Sequence, residues 1–256
     1  MDIRQTKDLF SDHAKDYAHF RPDYPEAFIR YISQLVSYQG VVWDCGCGSG
    51  QLAFPLAEYF NLVMATDISE KQVAHARAHN RILYSIQPAE QTDFPDEYVD
   101  LVVVGQALHW FDHEAFFKEV DRVLVPHGVI VAVGYGLMTI CPETDAVLNY
   151  FYKDITGPYW SPERHHLDAE YSTIPWPFEP VEVPPFDMKQ QWTFDQMMGY
   201  LNTWSAVKLY ERHTGVNPIT LVSADFEKAW GNEAERTVTF PLFIKAGKKA
   251  LIPGSF

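Results

Sequence analysis

The stretch Val41-Val42-Trp43-Asp44-Cys45-Gly46-Cys47-Gly48-Ser49-Gly50 decides how the chain is read. Val41 to Asp44 is a short apolar run ending in an acid, the pattern of a buried strand. Behind it the glycines alternate as G-x-G-x-G, and a helical pattern continues to about Tyr59. Glycines at such a junction let the backbone turn sharply and come close to a ligand. The first turn of the following helix offers N–H groups that have no intrahelical partner. Strand, glycine turn and helix in this order predict an α/β sheet with a ligand crevice beyond the strand's carboxyl end.

The flanking sequence repeats the alternation. Upstream, Pro25 to Tyr38 reads as a helix, with Phe28, Ile32, Leu35 and Val36 on one face. Downstream, Asn61 to Asp67, Arg81 to Ile86, Val99 to Val104 and Val129 to Gly134 read as strands. Ser69 and Gln72 form a capping-box start for a helix to about His79. His113 to Leu124 is a helix with Phe116, Phe117, Val120, Val123 and Leu124 inward, and Pro126-His127-Gly128 is a turn. Strands alternating with helices predict a Rossmann-like, doubly wound, mostly parallel sheet of seven strands.

From Gly136 to about Pro185 the chain is rich in Pro and aromatics and fits neither a plain helix nor a plain strand. Helices are expected from Phe194 to about Arg212 and from about Pro218 to Trp230, and a last strand from Arg236 to Ile244. The whole chain is then one domain: a cofactor-binding core over residues 1–135, an aromatic-rich helical lid over about 136–235, and a final strand over about 236–247.

The glycine spacing narrows the ligand. The dinucleotide fingerprint G-x-G-x-x-G needs glycine at position 51, where this chain has Gln51. Asp44, just before the glycines, repels phosphate but can accept hydrogen bonds from the ammonium of an amino acid. Both features favour S-adenosylmethionine over a nicotinamide dinucleotide. Asp67 ends the second strand, where a carboxylate can accept both ribose hydroxyls; capping the helix ahead of Ser69 is the alternative. Pro88-Ala89-Glu90, after the third strand, sits at the same edge, near the adenine.

The balance is acidic, with 34 Asp plus Glu against 20 Lys plus Arg, so a phosphate backbone is repelled on average and nucleic acid is not the expected partner. Cys45, Cys47 and Cys141 are too few for a disulfide framework and fit reduced thiols. The N-terminus, MDIRQTKDLFSDHAKDY, is too charged for a signal peptide. No apolar run approaches the roughly 18 residues of a membrane span. The expectation is a cytoplasmic protein that does not insert in membranes.

The segments VVWDCGCGSGQ, ATDIS, the A-E of QPAEQTDFP, YVDLVVVGQALHWFD and EVDRVLVPHG resemble the class I S-adenosylmethionine-dependent methyltransferases of the type 11 group, in order and at family spacing across about residues 40 to 134. The resemblance implies cofactor contacts at Asp44, Gly46, Gly48, Asp67, Ile68, Ala89, Glu90 and Gln106. Cys45 and Cys47 depart from the small or aliphatic residues common there and read as small buried hydrophobes. Phe10, Tyr17, Arg21, Pro22, Tyr24 and Pro25, with the A-L-H-W-F segment, resemble a smaller subgroup that includes yeast-type trans-aconitate and cantharidin methyltransferases. That resemblance implies that Tyr17 and Arg21 close over the cofactor's carboxylate, which an arginine fork suits; the alternative is that Arg21 only orders the N-terminal segment. The named relatives methylate carboxylates, so a small organic acid is the implied acceptor.

The fourth strand ends near Val104, so His109 and Trp110 should border the transferred methyl group. His109 is the candidate general base or acceptor-orienting group, with a structural role as the alternative. Asp112 could orient it or cap the helix from His113. A metal site at His109 and His113 is not expected, for want of a third ligand. Trp160, Trp192, Tyr200 and Trp204 are candidate walls of an acceptor pocket, with Tyr200 and Trp204 at i, i+4 on one helix. Aromatics at that spacing equally build a core. Two other readings stay open at this point: an NAD-type oxidoreductase, and a protein that binds S-adenosylmethionine without catalysis.

Overall fold

A computed structural model describes residues Pro22–Ala250. Helix α1 (Glu26–Ser33) follows Pro25 and buries Phe28, Ile29 and Ile32. It stops short of the expected Tyr38 because the Gln39 amide turns back and donates to the carbonyls of Ser33 and Val36 at 3.0 and 3.2 Å. Strand β1 (Val41–Cys45), a four-residue α2 (Ala53–Leu56), β2 (Leu62–Asp67) and α3 (Glu70–Ala74) come next. Helix α3 is also shorter than its pattern suggested: the ring Nδ1 of His75 lies 2.7 Å from the Lys71 carbonyl, the group its own backbone N–H would take if the helix continued. Strands β3 (Ile82–Ile86) and β4 (Val99–Gly105), helix α4 (His113–Val123) and β5 (Leu124–Tyr135) complete the alternation. Val99 pairs with Leu124 but Leu101 with Val129, so residues 125–128 loop out where the Pro126-His127-Gly128 turn was expected, with His127 at φ 66°.

The chain continues through α5 (Pro142–Tyr150), a π turn (Phe151–Ile155), α6 (Arg164–Asp168), β6 (Glu179–Val181) and β7 (Asp187–Trp192). It ends in α7 (Phe194–Asn202), α8 (Ser205–Thr214), α9 (Ser223–Trp230) and β8 (Arg236–Lys248). One helix was expected over Phe194 to Arg212, and two are found. The Thr203 hydroxyl donates to the Tyr200 carbonyl at 2.6 Å, and Trp204 is extended at φ −66°, ψ 134°. Tyr200 therefore closes one helix while Trp204 opens the next, which corrects their placement on a single helix. The segment from Pro218 likewise divides into a 3-10 turn (Pro218–Leu221), capped by the Asn217 side chain, and α9.

The sheet has eight strands, where seven were expected: seven run β3-β2-β1-β4-β5-β8-β6, and β7 pairs with β8 off that path. Strand β6 lies in the Pro- and aromatic-rich stretch that reads as neither helix nor strand. Pairings among β1 to β5 are parallel; β8 is antiparallel to β5 and β6. The order reverses between β1 and β4, and that switch point is where an open α/β sheet leaves a crevice beyond its carboxyl ends. Under it Trp43 is fully buried, edge-on to Phe94 and Phe116, with its indole N–H donating to Thr66 Oγ1 at 2.8 Å. A buried indole keeps its packing gain only if that donor is satisfied, as here.

The fold divides into two compact units. The sheet unit holds Tyr24–Gly136, His165–Phe186 and the chain from Leu242. The second unit holds Leu137–Arg164 and Asp187–Pro241, together with the described residues before Tyr24. In the second unit β7 pairs antiparallel with the first half of β8, from Asp187 opposite Pro241 to Trp192 opposite Arg236. No helix among the described residues is long and apolar enough to cross a membrane.

Candidate active site

The glycine turn after β1 has Gly46, Gly48 and Gly50 at φ 69°, 55° and 88°. Gly46 is the clearest requirement. It is left-handed, and a Cβ there would lie 2.7 Å from the Ala107 methyl carbon. The turn is tied to the end of β2: the N–H groups of Gly46 and Cys47 both donate to the Thr66 carbonyl at 2.9 Å. Asp67 completes the tie. Its Oδ2 accepts from the Gly48 N–H and its Oδ1 from the Ser69 N–H, each at 2.8 Å. Ser69, not Asp67, caps α3, accepting from the Gln72 N–H. An ionised carboxylate has about four lone-pair sites, so Asp67 can still accept from a ligand's hydroxyls.

Asp44 is 1% exposed, and among the described residues its Oδ2 has no hydrogen-bond partner. Burial pushes its carboxyl up to about 7, against a backbone hydrogen bond from Ala53, and the charge of Asp67 adds to the rise. Asp67 is raised as well, mainly by burial, with the Ser69 and Gly48 N–H groups opposing. A buried acid with an orphaned oxygen, whose charge is felt together with that of the half-buried Asp67, forms a site that a cation would complete. Cys45 and Cys47 are buried free thiols, each pushed up by burial, with the Asp44 charge adding to it. They are neutral and serve as small hydrophobic wall residues.

His109 and Trp110 lie on a 3-10 turn (Leu108–Trp110) beyond the carboxyl end of β4. His109 is buried, its ring 4.7 Å from that of Trp110 and stacked with Tyr171 at 6.5 Å and 26°. Asp112 takes the capping role, accepting from the Ala115 N–H at 3.1 Å. The His113 ring nitrogen Nε2 lies 3.1 Å from the Leu108 carbonyl. Burial lowers the pKa of His113 and favours the neutral ring.

A family model described as a methyltransferase domain, of the type 11 group, matches residues 43–132. A relative from Dictyostelium discoideum, named as a methyltransferase, is 30% identical over 250 residues, covering 94% of this chain and 95% of its own. The chain belongs to the methyltransferase family. A methyltransferase structure from Anaeromyxobacter dehalogenans superposes with TM-score 0.84 at 41% identity, covering 91% of this chain and 99% of that one. A Saccharomyces cerevisiae protein, named as S-adenosylmethionine-dependent, is 26% identical over 60% of this chain and 58% of its own length.

The methyltransferase takes S-adenosylmethionine as its cofactor, and the residues present fit that ligand. It carries an ammonium, which suits the unpartnered oxygen of Asp44, and a ribose diol, which suits the remaining lone pairs of Asp67. Ile68, next in sequence, leaves 41% of its surface exposed at the same edge, as an apolar wall for a base would. Ala89 is buried. Glu90 accepts from the Asp112 N–H at 3.0 Å, joining the loop after β3 to the start of α4.

The Gln106 side chain is held by both backbone groups of Tyr135. Tyr17 and Arg21 lie outside the described residues. Trp160, Trp192, Tyr200 and Trp204 fall in the second unit, where they pack on one another: Trp192 on Tyr200 at 5.3 Å, Tyr200 on Trp204 at 6.1 Å, Trp160 on Trp204 at 5.4 Å. Three of them are buried, so they form that unit's aromatic core. Sequence reading missed Tyr171. It comes from the irregular second half and reaches His109 only through the return of the chain, for which no local periodicity exists. Two successive left-handed residues, Glu170 at φ 51° and Tyr171 at φ 59°, hold it there.

Proposed function

We propose that this methyltransferase acts on a small organic molecule and that a carboxylic acid is its acceptor class. The observation that carries the reading is the position of His109: a buried imidazole on the turn that closes the crevice beyond β4, with the aromatic rings of Trp110 and Tyr171 beside it. Such a wall suits a compact, largely apolar molecule with one polar group for the histidine to address. The acid itself is supported by the likeness of the A-L-H-W-F segment to methyltransferases of carboxylates. The net charge of −14 adds weight against a polyanionic acceptor.

In this reading Asp44 holds the cofactor's ammonium and Asp67 its ribose. The backbone of Gly46 and Gly48 lies against it, and Ile68, Ala89 and Glu90 border the adenine. Tyr17 and Arg21 address its carboxylate. When bound, S-adenosylmethionine supplies an electrophilic methyl group on a sulfonium. His109 and Trp110 would hold the acceptor oxygen beside that methyl group. A carboxylate has no proton to lose, so His109 orients the acceptor by hydrogen bonding; for a hydroxyl acceptor the same ring would take the proton. Trp160, Trp192, Tyr200 and Trp204 are assigned to the acceptor in the same reading, and the protein works in the cytoplasm.

The test is incubation with S-adenosylmethionine and pools of small acids, alcohols and amines, with S-adenosylhomocysteine release and product mass followed. Release with the acid pool, and products heavier by one methylene as esters, is expected. Turnover confined to amines, or to a protein or nucleic acid substrate, would overturn the reading.

A further inference from the structure

Gln106 stands at the point where the chain leaves the sheet, and its backbone is left-handed at φ 56°, a conformation uncommon for a residue with a Cβ. Its backbone N–H makes the last regular bond of the β4–β5 ladder, to the Val133 carbonyl at 2.8 Å. In a parallel ladder with Gly105 opposite Val133, the next rung would join the Tyr135 N–H to the carbonyl of residue 106, and the N–H of residue 108 to the Tyr135 carbonyl. Neither pairing is needed here. The Gln106 side-chain Oε1 accepts from the Tyr135 N–H at 2.9 Å, and its Nε2 donates to the Tyr135 carbonyl at 3.0 Å. One side-chain amide replaces one peptide rung. Gly134 lies beside it: a Cβ there would meet the Phe243 ring and would also lie 3.2 Å from Gln106 Oε1.

We propose that Gln106 is a positioning residue for cofactor binding, a surrogate rung that lets β4 end early without leaving the end of β5 unpaired. With that rung in place the chain turns away at residue 106. Ala107 then comes against Gly46 of the cofactor turn, and the 3-10 turn carrying His109 begins at Leu108. Without it, Tyr135 would compete for the backbone of residues 106 and 108, and the crevice floor would close toward a regular strand. The inference rests on the reading that the adenosyl ligand sits in this crevice. It assigns the Gln106 amide to the protein's own framework and not to the ligand.

The experiment compares Gln106→Met, which keeps length and loses both hydrogen bonds, and Gln106→Glu, which keeps the acceptor and loses the donor. Val129→Ala serves as a stability-matched control in the opposite half of β5. S-adenosylhomocysteine affinity is measured by calorimetry well below each melting temperature, and exchange of the Tyr135 amide is followed in the wild type with and without ligand. Wild-type binding tests the underlying reading by itself: if the wild type does not bind, that reading fails, whatever the variants do. Given wild-type binding, both Gln106 variants should weaken it at least tenfold, and Val129→Ala at equal thermal loss should stay within threefold. The Tyr135 amide should exchange slowly and no faster when ligand is present. Variants that bind as the wild type does, a control that weakens binding equally, or a Tyr135 amide released by ligand would overturn the proposal. If a variant does not fold, the amide exchange of the wild type decides alone.

Discussion

Asp67 accepts the Gly48 N–H through one carboxylate oxygen and the Ser69 N–H through the other, both at 2.8 Å. A single side chain thus joins the cofactor turn after β1 to the start of the helix after β2. The residue we propose for the ribose is also the brace that shapes the turn beneath it. Asp67→Ala should therefore weaken S-adenosylmethionine binding at least tenfold, about 1.4 kcal/mol or more. Calorimetry checks this; an unchanged affinity would remove Asp67 from the cofactor site.

Asp44 should make both stability and binding depend on pH. Burial pushes its carboxyl up to about 7 in the folded protein, against 3.8 ordinarily. Between those values the unfolded chain has released the proton and the folded chain retains it, so the ligand-free protein loses stability as pH rises through that window. Asp44→Asn should flatten this dependence in melting curves taken from pH 5 to 8. The ligand's ammonium favours the ionised acid, so binding near pH 7 should release protons, and affinity should fall as pH drops from 7 to 5. Titrations in buffers of different ionisation enthalpy report the released protons. Proton uptake, or none, would contradict the placement.

Glu119, buried on α4, accepts from the Thr92 N–H, the Thr92 hydroxyl and the Arg122 guanidinium, each at 2.6 Å through one oxygen. Arg122 also donates to the Phe94 carbonyl and to Asp96. Burial alone would raise the Glu119 carboxyl; the bonds from Arg122 and Thr92 outweigh it and hold it below its ordinary value. The network pins the loop after β3, which carries Ala89 and Glu90. Arg122→Met should cost about 2 kcal/mol in urea unfolding, since a buried charged acceptor loses its partner. The contribution from Glu119 is present above its ordinary pKa and lost as pH falls through the lowered one. A loss under about 0.5 kcal/mol, the range of neutral surface changes, would contradict this account.

The three thiols should separate by reactivity. Cys45 and Cys47 are buried and held protonated, while Cys141 is partly exposed. A disulfide reagent should modify one thiol per native chain quickly and all three after denaturation. Fast native reaction of two or more would mean the glycine turn opens freely.

His109→Ala should slow turnover while S-adenosylhomocysteine affinity stays within threefold, because the proposed role of the ring is to address the acceptor and not the cofactor. Parallel calorimetry and turnover assays separate the two effects. Loss of binding would move His109 into the cofactor site.

Strands β1 to β5 and β8 and the glycine turn were legible because short apolar runs and G-x-G-x-G are local signals; β6 and β7, in the Pro-rich half, were not. Helix ends were not. Gln39 and His75 stop α1 and α3 with side-chain bonds that no periodicity announces, and Thr203 breaks what reads as one helix into α7 and α8. Asp44 and Asp67 could be named from their places at strand ends. The surrogate rung of Gln106 could not, because its partner Tyr135 is 29 residues away and contributes only backbone. Tyr171 was hidden for the same reason: its contact with His109 exists only once the chain has folded back.

A crystal structure with S-adenosylhomocysteine tests the central claim most directly. The account predicts the ligand's ammonium at about 3 Å from Asp44 and its ribose hydroxyls at about 3 Å from Asp67, with the Gln106 amide still on Tyr135. A ligand bound elsewhere, or one that leaves Asp44 unpartnered, would contradict it.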